Sequence, residues 1–196
     1  MNFSWEISKI SKKINKTILP NTLSVGFDVA ENKTGISIIL TDYSYIKWIG
    51  KYIIEIPKKD DIVSKLKAFQ IGLIPVKEEF SKYKSKRKIV VIEDCFLKYS
   101  VWVLKILARF STIAFMEFKN SASDIFFVQA KSARNRVGIK DKYLKQFKTA
   151  KQGVVNWINS NFEIFLEDKD IADSFILALV GVLKNYGRTR YPKILE

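Results

Sequence analysis

The chain has 196 residues, 47% of them hydrophobic and 28% charged, which is typical of one folded domain with its own core. It has no histidine and one cysteine, Cys95, which excludes histidine-based zinc sites, serine–histidine triads and an internal disulfide, and leaves carboxylates, Lys, Tyr, Ser or a bound metal for any chemistry. The formal net charge of +14 fits nucleic acid or an anionic membrane as a partner, but a lysine-rich proteome explains it equally well.

The first 19 residues are basic and amphipathic. Apolar residues recur in them at helical spacing: Phe3, Ile7, Ile10, Ile14 and Ile18. The segment uses lysine and contains an acid, unlike an arginine-rich transit peptide, and it has no pattern of a secretory signal. It therefore predicts a helix that packs on the domain or faces DNA. We assign residues 1–22 to an amphipathic extension and residues 23–190 to the domain.

Three predicted strands open the domain. In residues 23–30 the apolar Leu23, Val25 and Phe27 face one side, whereas Gly26 and Asp28 face the other. Residues 31–35 predict a turn, and residues 36–40 and 45–56 predict the next two strands. Because the connections are short, we expect an antiparallel meander.

Strands and helices alternate in the rest of the chain. Asp60 could cap a helix that runs toward Tyr83, interrupted at Gly72 and Pro75. The remaining predictions are a buried strand at 89–93, a helix at 100–119, a buried strand at 124–129, and helices at 149–161 and 168–185. This order implies a mixed five-stranded α/β sheet flanked by helices, which is the order of the RNase H-like fold.

Four acids stand where apolar or small residues are expected. Asp28 lies in a strand whose small same-face neighbours leave room for a ligand. Glu93 ends a buried strand, where a charge is costly unless it is paired or binds a metal. Asp170 and Asp173 are three residues apart at the start of the last helix, so both carboxylates share one face.

Each acid alone has an ordinary explanation as a turn residue, a partner of a lysine or a helix N-terminal acid. Their combination favours a metal site, because clustered carboxylates in a partly desolvated site repel one another and hard divalent cations relieve that repulsion. Two such ions roughly 4 Å apart can clamp a phosphodiester and activate a water. Mg²⁺ is the expected ion, with Mn²⁺ as a substitute.

Three motifs resemble those of the RuvC-type Holliday-junction resolvases. Residues 23–28 (LSVGFD), followed by Thr34 and Gly35, are similar to the first-strand motif of that family. Residues 89–96 (IVVIEDCF) are similar to its fourth-strand motif, and residues 170–178 (DIADSFILA) to its acidic C-terminal helix. The motifs come in the family's order, span about residues 23 to 183, and are similar in particular to the phage and poxvirus branch.

The resemblance implies that Asp28, Glu93, Asp170 and Asp173 are catalytic metal ligands. Phe96 matches an aromatic residue near the junction centre that can stack on a base, although a core phenylalanine is an equally good interpretation. Lys131 is similar to a basic residue after the fifth strand but differs in its spacing to the next glycine. Lys151 matches better, at the start of the family's next helix, where it would neutralise phosphate charge.

Residues 130–151 form a strongly basic stretch. Its cations are Lys131, Arg134, Arg136, Lys140, Lys142, Lys145, Lys148 and Lys151. An acidic pocket repels DNA, so flanking cations must supply the binding energy, and we expect Lys131, Arg134, Arg136, Lys140, Lys151 and Phe96 to contact DNA. Taken by itself, such a charge run is usually a solvated face.

The leading hypothesis is a Mg²⁺-dependent, structure-selective endonuclease that resolves four-way DNA junctions. Two symmetry-related cuts imply a homodimer, for which the predicted helix at 102–118 is a candidate face or else an ordinary core helix. Open alternatives are an RNase H-like nuclease for flaps, hybrids or structured RNA, and a non-catalytic nucleic-acid-binding module. An actin-like ATPase needs a longer, duplicated chain. We expect no membrane partner, and an intracellular location in a bacterial or virus-infected cell or an organelle.

Overall fold

The computed structural model describes residues 3–58, 61–94 and 100–184. The strands are β1 Phe3–Glu6, β2 Thr22–Asp28, β3 Lys33–Thr41, β4 Tyr45–Glu55, β5 Arg87–Glu93 and β6 Asp124–Val128. The helices are α1 Ile7–Ile14, α2 Ile62–Gly72, α3 Ile74–Lys82, α4 Val101–Phe118, α5 Ala130–Arg136, α6 Asp141–Leu144, α7 Ala150–Phe162 and α8 Lys169–Gly181.

The strands form one mixed sheet in the order β1-β4-β3-β2-β5-β6. The first four pair antiparallel, whereas β5 runs parallel to both β2 and β6. The predicted antiparallel meander and mixed α/β architecture are confirmed. Because β2 and β5 are parallel neighbours, their C-terminal ends, which carry Asp28 and Glu93, lie side by side at the same end of the sheet.

The predicted number of five strands is wrong, because the N-terminal segment adds a sixth. Phe3 and Trp5 alternate with polar residues and lie in β1, which pairs with β4, so the helix begins only at Ile7. The period-two pattern of these four residues was obscured by the helical spacing that follows them. Ile10 and Ile14 are buried in a core that also contains residues of α7 and α8.

Other boundaries shift by a few residues. β3 begins at Lys33, so most of the predicted turn at 31–35 is strand, and α8 ends at Gly181 rather than at residue 185. The predicted break near Gly72 and Pro75 is confirmed, since α2 ends at Gly72 and α3 follows Leu73. The cap of α2 is Asp61, whose side chain accepts from the backbone of Val63 and Ser64; Asp60 lies outside the described residues.

Helices cover both faces of the sheet. One core contains residues of α2, α3 and α4 with Leu23, Val25 and Phe27 of β2, which confirms the predicted facing of that strand. The other core contains residues of α1, α5, α7 and α8. Among the described residues, no helix is long and apolar enough to cross a membrane.

Helix α8 lies directly on the sheet because two glycines face it. A Cβ added at Gly26 would overlap the backbone of Ser174 and Ala178, and one added at Gly35 would overlap the backbone carbonyl of Asp170. The space beside Asp28, expected to admit a ligand, is thus filled over Gly26 by the backbone of α8. The same close approach sets the start of α8, with its acids, against the ends of β2 and β3.

Candidate active site

Three of the four predicted acids surround one lysine, and the fourth contacts one of those three. The Lys151 ammonium lies 2.8 Å from Asp28 Oδ2, 2.7 Å from Asp170 Oδ1 and 3.7 Å from Asp173 Oδ2. Glu93, at the end of β5, hydrogen-bonds Asp28. Residues from the C-terminal ends of two central strands and from the N-terminal parts of two helices thus converge at one end of the sheet.

Each helix start is fixed by a local cap. Thr149 accepts a hydrogen bond from the backbone of Gln152 and so caps α7, which carries Lys151 in its first turn. Asp168 accepts from the backbone of Asp170 and Ile171 and so caps α8. Side-chain caps of this kind satisfy backbone N–H groups that the helix leaves unpaired, so they fix where each helix begins.

Lys33 is a part of the site that the sequence did not indicate. Its ammonium lies 2.8 Å from Asp168 Oδ2 and 3.4 Å from Asp170 Oδ2. The hydrogen bond to Asp168 raises the pKa of Lys33. Lys33 is the first residue of β3, where the sequence predicted a turn. It ties the cap of α8 to the sheet, so Asp170 is held between two lysines.

Burial and crowding change the protonation of these groups. Glu93 is poorly solvated and hydrogen-bonds Asp28, which together raise its pKa to about 10. Burial likewise raises the pKa of Asp173, although the Arg134 guanidinium opposes the shift. Burial of Lys151 acts to lower its pKa, but the attraction of Asp28 and Asp170 is greater and the net pKa is raised. Lys151 is therefore a fixed cation, and Glu93 keeps its proton at neutral pH.

A cavity of about 650 Å³ opens onto these groups. Its lining includes Asp28, Glu93, Asp173 and Lys151, together with Lys131 and Arg134 of α5. Two further acids also line it: Asp94, directly after the end of β5, and Glu31, in the connection that follows β2. A cavity lined by both acids and cations can receive a phosphate group beside a cation bound by the acids.

The predicted DNA contacts are distributed unevenly. Lys131 is 70% exposed and pairs with Asp141, and Lys140 is exposed before α6. Arg136 is half-buried at the end of α5. Arg134 instead points into the site and binds Asp173. Phe96 and Cys95 lie outside the described residues.

The carboxylate oxygens of the four acids are the kind of ligand that a hard divalent cation prefers. Three of these acids already surround one positive charge, the Lys151 ammonium. In the ranges 3–58, 61–94 and 100–184, no three acidic or cysteine side chains stand in the arrangement of a metal site as they are placed. Lys151 lies between three of the acids, and Arg134 binds Asp173. The role of the four acids as metal ligands stays a prediction.

Comparison by sequence finds no match, either among models of protein families or among curated proteins. Comparison with solved structures does find similar proteins. The chain is similar to Thermus thermophilus RuvC in complex with a Holliday junction substrate (TM-score 0.62, 9% identity, covering 83% of this chain and 98% of that one). Another structure of T. thermophilus RuvC gives a TM-score of 0.59 at 10% identity, with the same coverage of 83% and 98%.

A third similar structure is the yeast mitochondrial Holliday junction resolvase Ydc2, with a TM-score of 0.50 and 13% identity over 86% of this chain and 81% of that one. None of these structures bears on the phage and poxvirus branch, which stays a prediction. At such low identity the likeness concerns the path of the chain. The protein therefore has the RuvC-type, RNase H-like fold, as its motifs predicted.

Proposed function

We propose that this protein is a divalent-metal-dependent endonuclease that resolves four-way DNA junctions. The observation that carries the proposal is that Asp28, Asp170 and Asp173 meet around Lys151, with Glu93 hydrogen-bonded to Asp28. The fold supports it, because the similar structures are named as RuvC and as a Holliday junction resolvase.

The four acids would hold Mg²⁺ or Mn²⁺, which when bound would polarise a phosphodiester and supply an activated water. The protein's own groups prepare that environment. Burial of Asp28 and Asp173 leaves few waters to compete for their oxygens. The pKa of Glu93 is raised by burial and by the neighbouring acids, so Glu93 holds a proton in the absence of metal. A divalent cation bound beside it would lower that pKa, and Glu93 would then release the proton.

Lys151 would neutralise phosphate charge beside the acids. Its ammonium is partly exposed, so a phosphate entering the cavity can reach it. Lys131 lines the cavity, and Arg136 and Lys140 follow it in the chain at the end of α5 and just before α6; all three would contact the DNA backbone. Contacts of this kind position DNA without reading its sequence, so binding should weaken steeply with salt.

A junction offers two equivalent cuts, which implies a homodimer. The inner face of α4 is core, with Ile106 and Phe110 buried, which confirms the interpretation as a core helix for that face. Its outer face exposes Trp102 at 57% and Met116 at 51%. We propose this outer face as the dimer contact. Light scattering of the wild type and of Trp102→Glu would test it, with a monomer expected only for the variant.

Cleavage of a four-way junction, a flap and an RNA–DNA hybrid of matched sequence tests the function. We expect paired symmetric nicks on the junction, dependent on Mg²⁺ or Mn²⁺. Cutting of the flap or hybrid alone would instead indicate another RNase H-like nuclease. Asp28→Asn and Glu93→Gln should abolish cleavage and spare junction binding, whereas Asp124→Asn, at the opposite end of the sheet from Glu93, should cut normally. Normal cutting by either site variant would refute the site.

A further inference from the structure

Arg134 contacts Asp173 through three hydrogen bonds. Its Nη2 lies 2.8 Å from each carboxylate oxygen, and its Nε lies 3.2 Å from Oδ1. Both side chains are well shielded, with 13% of Arg134 and 5% of Asp173 exposed. The pair joins α5 to α8, since Arg134 lies in the first helix and Asp173 in the second. The sequence predicted that Arg134 contacts DNA, whereas in the structure its guanidinium contacts Asp173.

The two oxygens of Asp173 are used differently. Oδ1 accepts two N–H groups of Arg134, and a carboxylate oxygen has two lone pairs, so Oδ1 has no acceptor site left. Oδ2 accepts one N–H group of Arg134 and lies 3.7 Å from the ammonium of Lys151. Asp173 therefore presents one oxygen, and one remaining lone pair, to the centre of the site.

This difference bears on which cation the acids can hold. Ca²⁺ takes roughly six to eight oxygens and often binds both oxygens of one carboxylate, whereas Mg²⁺ takes about six in a small octahedron, usually one per carboxylate. We infer that Arg134 is a positioning residue that makes Asp173 a single-oxygen donor and thereby favours Mg²⁺ and Mn²⁺ over Ca²⁺. The inference rests on the proposed function for the identity of the site.

Ion binding measured without DNA tests the inference. Isothermal titration with Mg²⁺, Mn²⁺ and Ca²⁺ would compare the wild type with Arg134→Gln and Arg134→Lys. We expect the ratio of Ca²⁺ to Mg²⁺ affinity to rise roughly tenfold in Arg134→Gln, because Oδ1 is released and Ca²⁺ can use both oxygens. Arg134→Lys should give an intermediate ratio, since an ammonium cannot form the arginine fork.

Arg87→Gln is the matched control. This arginine is exposed at the start of β5, at the opposite end of the strand from Glu93, and its substitution removes the same charge. Its affinity ratio should equal that of the wild type. If Arg134→Gln and Arg134→Lys change the affinities of all three ions equally, Arg134 supplies only charge and the inference is wrong. Should the glutamine variant fail to fold, the lysine variant alone decides by the same criterion.

Failure of this inference can be told apart from failure of the proposed function. A protein whose ratio shifts as expected but which cuts no junction would retain the role of Arg134 and lose the proposed substrate. A protein that nicks junctions but keeps the same ratio in both variants would retain the function and lose the inference. A wild type that binds none of the three ions would overturn the inference directly.

Discussion

The Lys151 ammonium lies 2.8 Å from an oxygen of Asp28, although 123 residues separate the two in the chain. Lys151 is in the first turn of α7 and Asp28 is the last residue of β2. No periodicity in the sequence predicts this contact, since it depends on how α7 is placed against the sheet. It makes Lys151 the internal counter-ion of an otherwise self-repelling group of acids.

Replacing Lys151 by alanine should destabilise the protein in the absence of divalent ions. Loss of the ammonium leaves Asp28 without its ion-pair partner, whereas Asp170 keeps Lys33 and Asp173 keeps Arg134. Because the lysine is partly exposed, we expect a loss of about 1–3 kcal/mol in the free energy of unfolding. Chemical denaturation with EDTA would measure it, and added Mn²⁺ should restore much of the loss. The exposed Lys131→Ala should lose less than about 1 kcal/mol. Equal losses in both variants would contradict the counter-ion role.

The same Lys151→Ala variant should bind DNA with a weaker dependence on salt. If Lys151 contacts a phosphate, the slope of log affinity against log salt concentration should fall by about one. Titrations of a labelled four-way junction at several salt concentrations would measure the slope for wild type and variant. An unchanged slope would remove Lys151 from the DNA surface.

Glu93→Gln should stabilise the protein more as the pH rises. The folded protein raises the pKa of Glu93 to about 10, so between pH 4.5 and 10 the folded state binds a proton that the unfolded state releases. Stability from this group is complete below the unfolded pKa and is lost as pH rises through that window. Glutamine mimics the protonated acid and escapes the loss.

We expect the variant to exceed the wild type by about 1–3 kcal/mol at pH 8 and to match it near pH 4. Denaturation without divalent ions at a series of pH values would show the difference growing. Glu163→Gln, at a surface position, is the control and should show no such trend. A difference that stays constant with pH would mean that Glu93 is ionised in the folded protein.

Gly35→Ala should displace the start of α8, and with it Asp170, because the added methyl group meets the backbone of that helix. Its added Cβ would meet the carbonyl of Asp170, which a strand residue cannot avoid by rotating a side chain, so α8 must move. We expect a loss of about 1–3 kcal/mol and weaker Mn²⁺ binding. Gly50→Ala is the matched control in β4, because its Cβ would meet only the side chains of Tyr52 and Ile38. Normal ion binding by Gly35→Ala would contradict the proposed placement of Asp170.

Trp5→Phe should weaken the attachment of the N-terminal segment and leave cleavage intact. The Trp5 indole donates to the carbonyl of Phe162 at 2.6 Å, joining β1 to the end of α7. Losing this bond leaves a partly buried acceptor unpaired, at a cost of about 1–2 kcal/mol. Denaturation and junction cleavage would be measured together, with the exposed Tyr43→Phe as a control expected to lose almost nothing. Lost cleavage at full stability would assign the segment a direct role in DNA handling.

The sequence by itself determined the elements and the acids. Alternating apolar residues such as Leu23, Val25 and Phe27 specify a strand with one buried face, because side chains alternate across a strand. Asp28 and Glu93 could be singled out because a carboxylate at the end of a buried run is costly without a partner. These are local patterns, and the order of elements that they give allowed the fold to be predicted.

Only the tertiary structure decided how charges are paired. Strand register and helix packing bring Lys33 and Arg134 to Asp170 and Asp173. Lys33 has no local signal, and the basic stretch around Arg134 predicted a contact with DNA rather than with an acid of the site. The sixth strand also depended on tertiary structure, since four residues form a strand only when β4 offers its free edge. Pairing between distant residues follows from the packing of layers, and a linear pattern does not contain it.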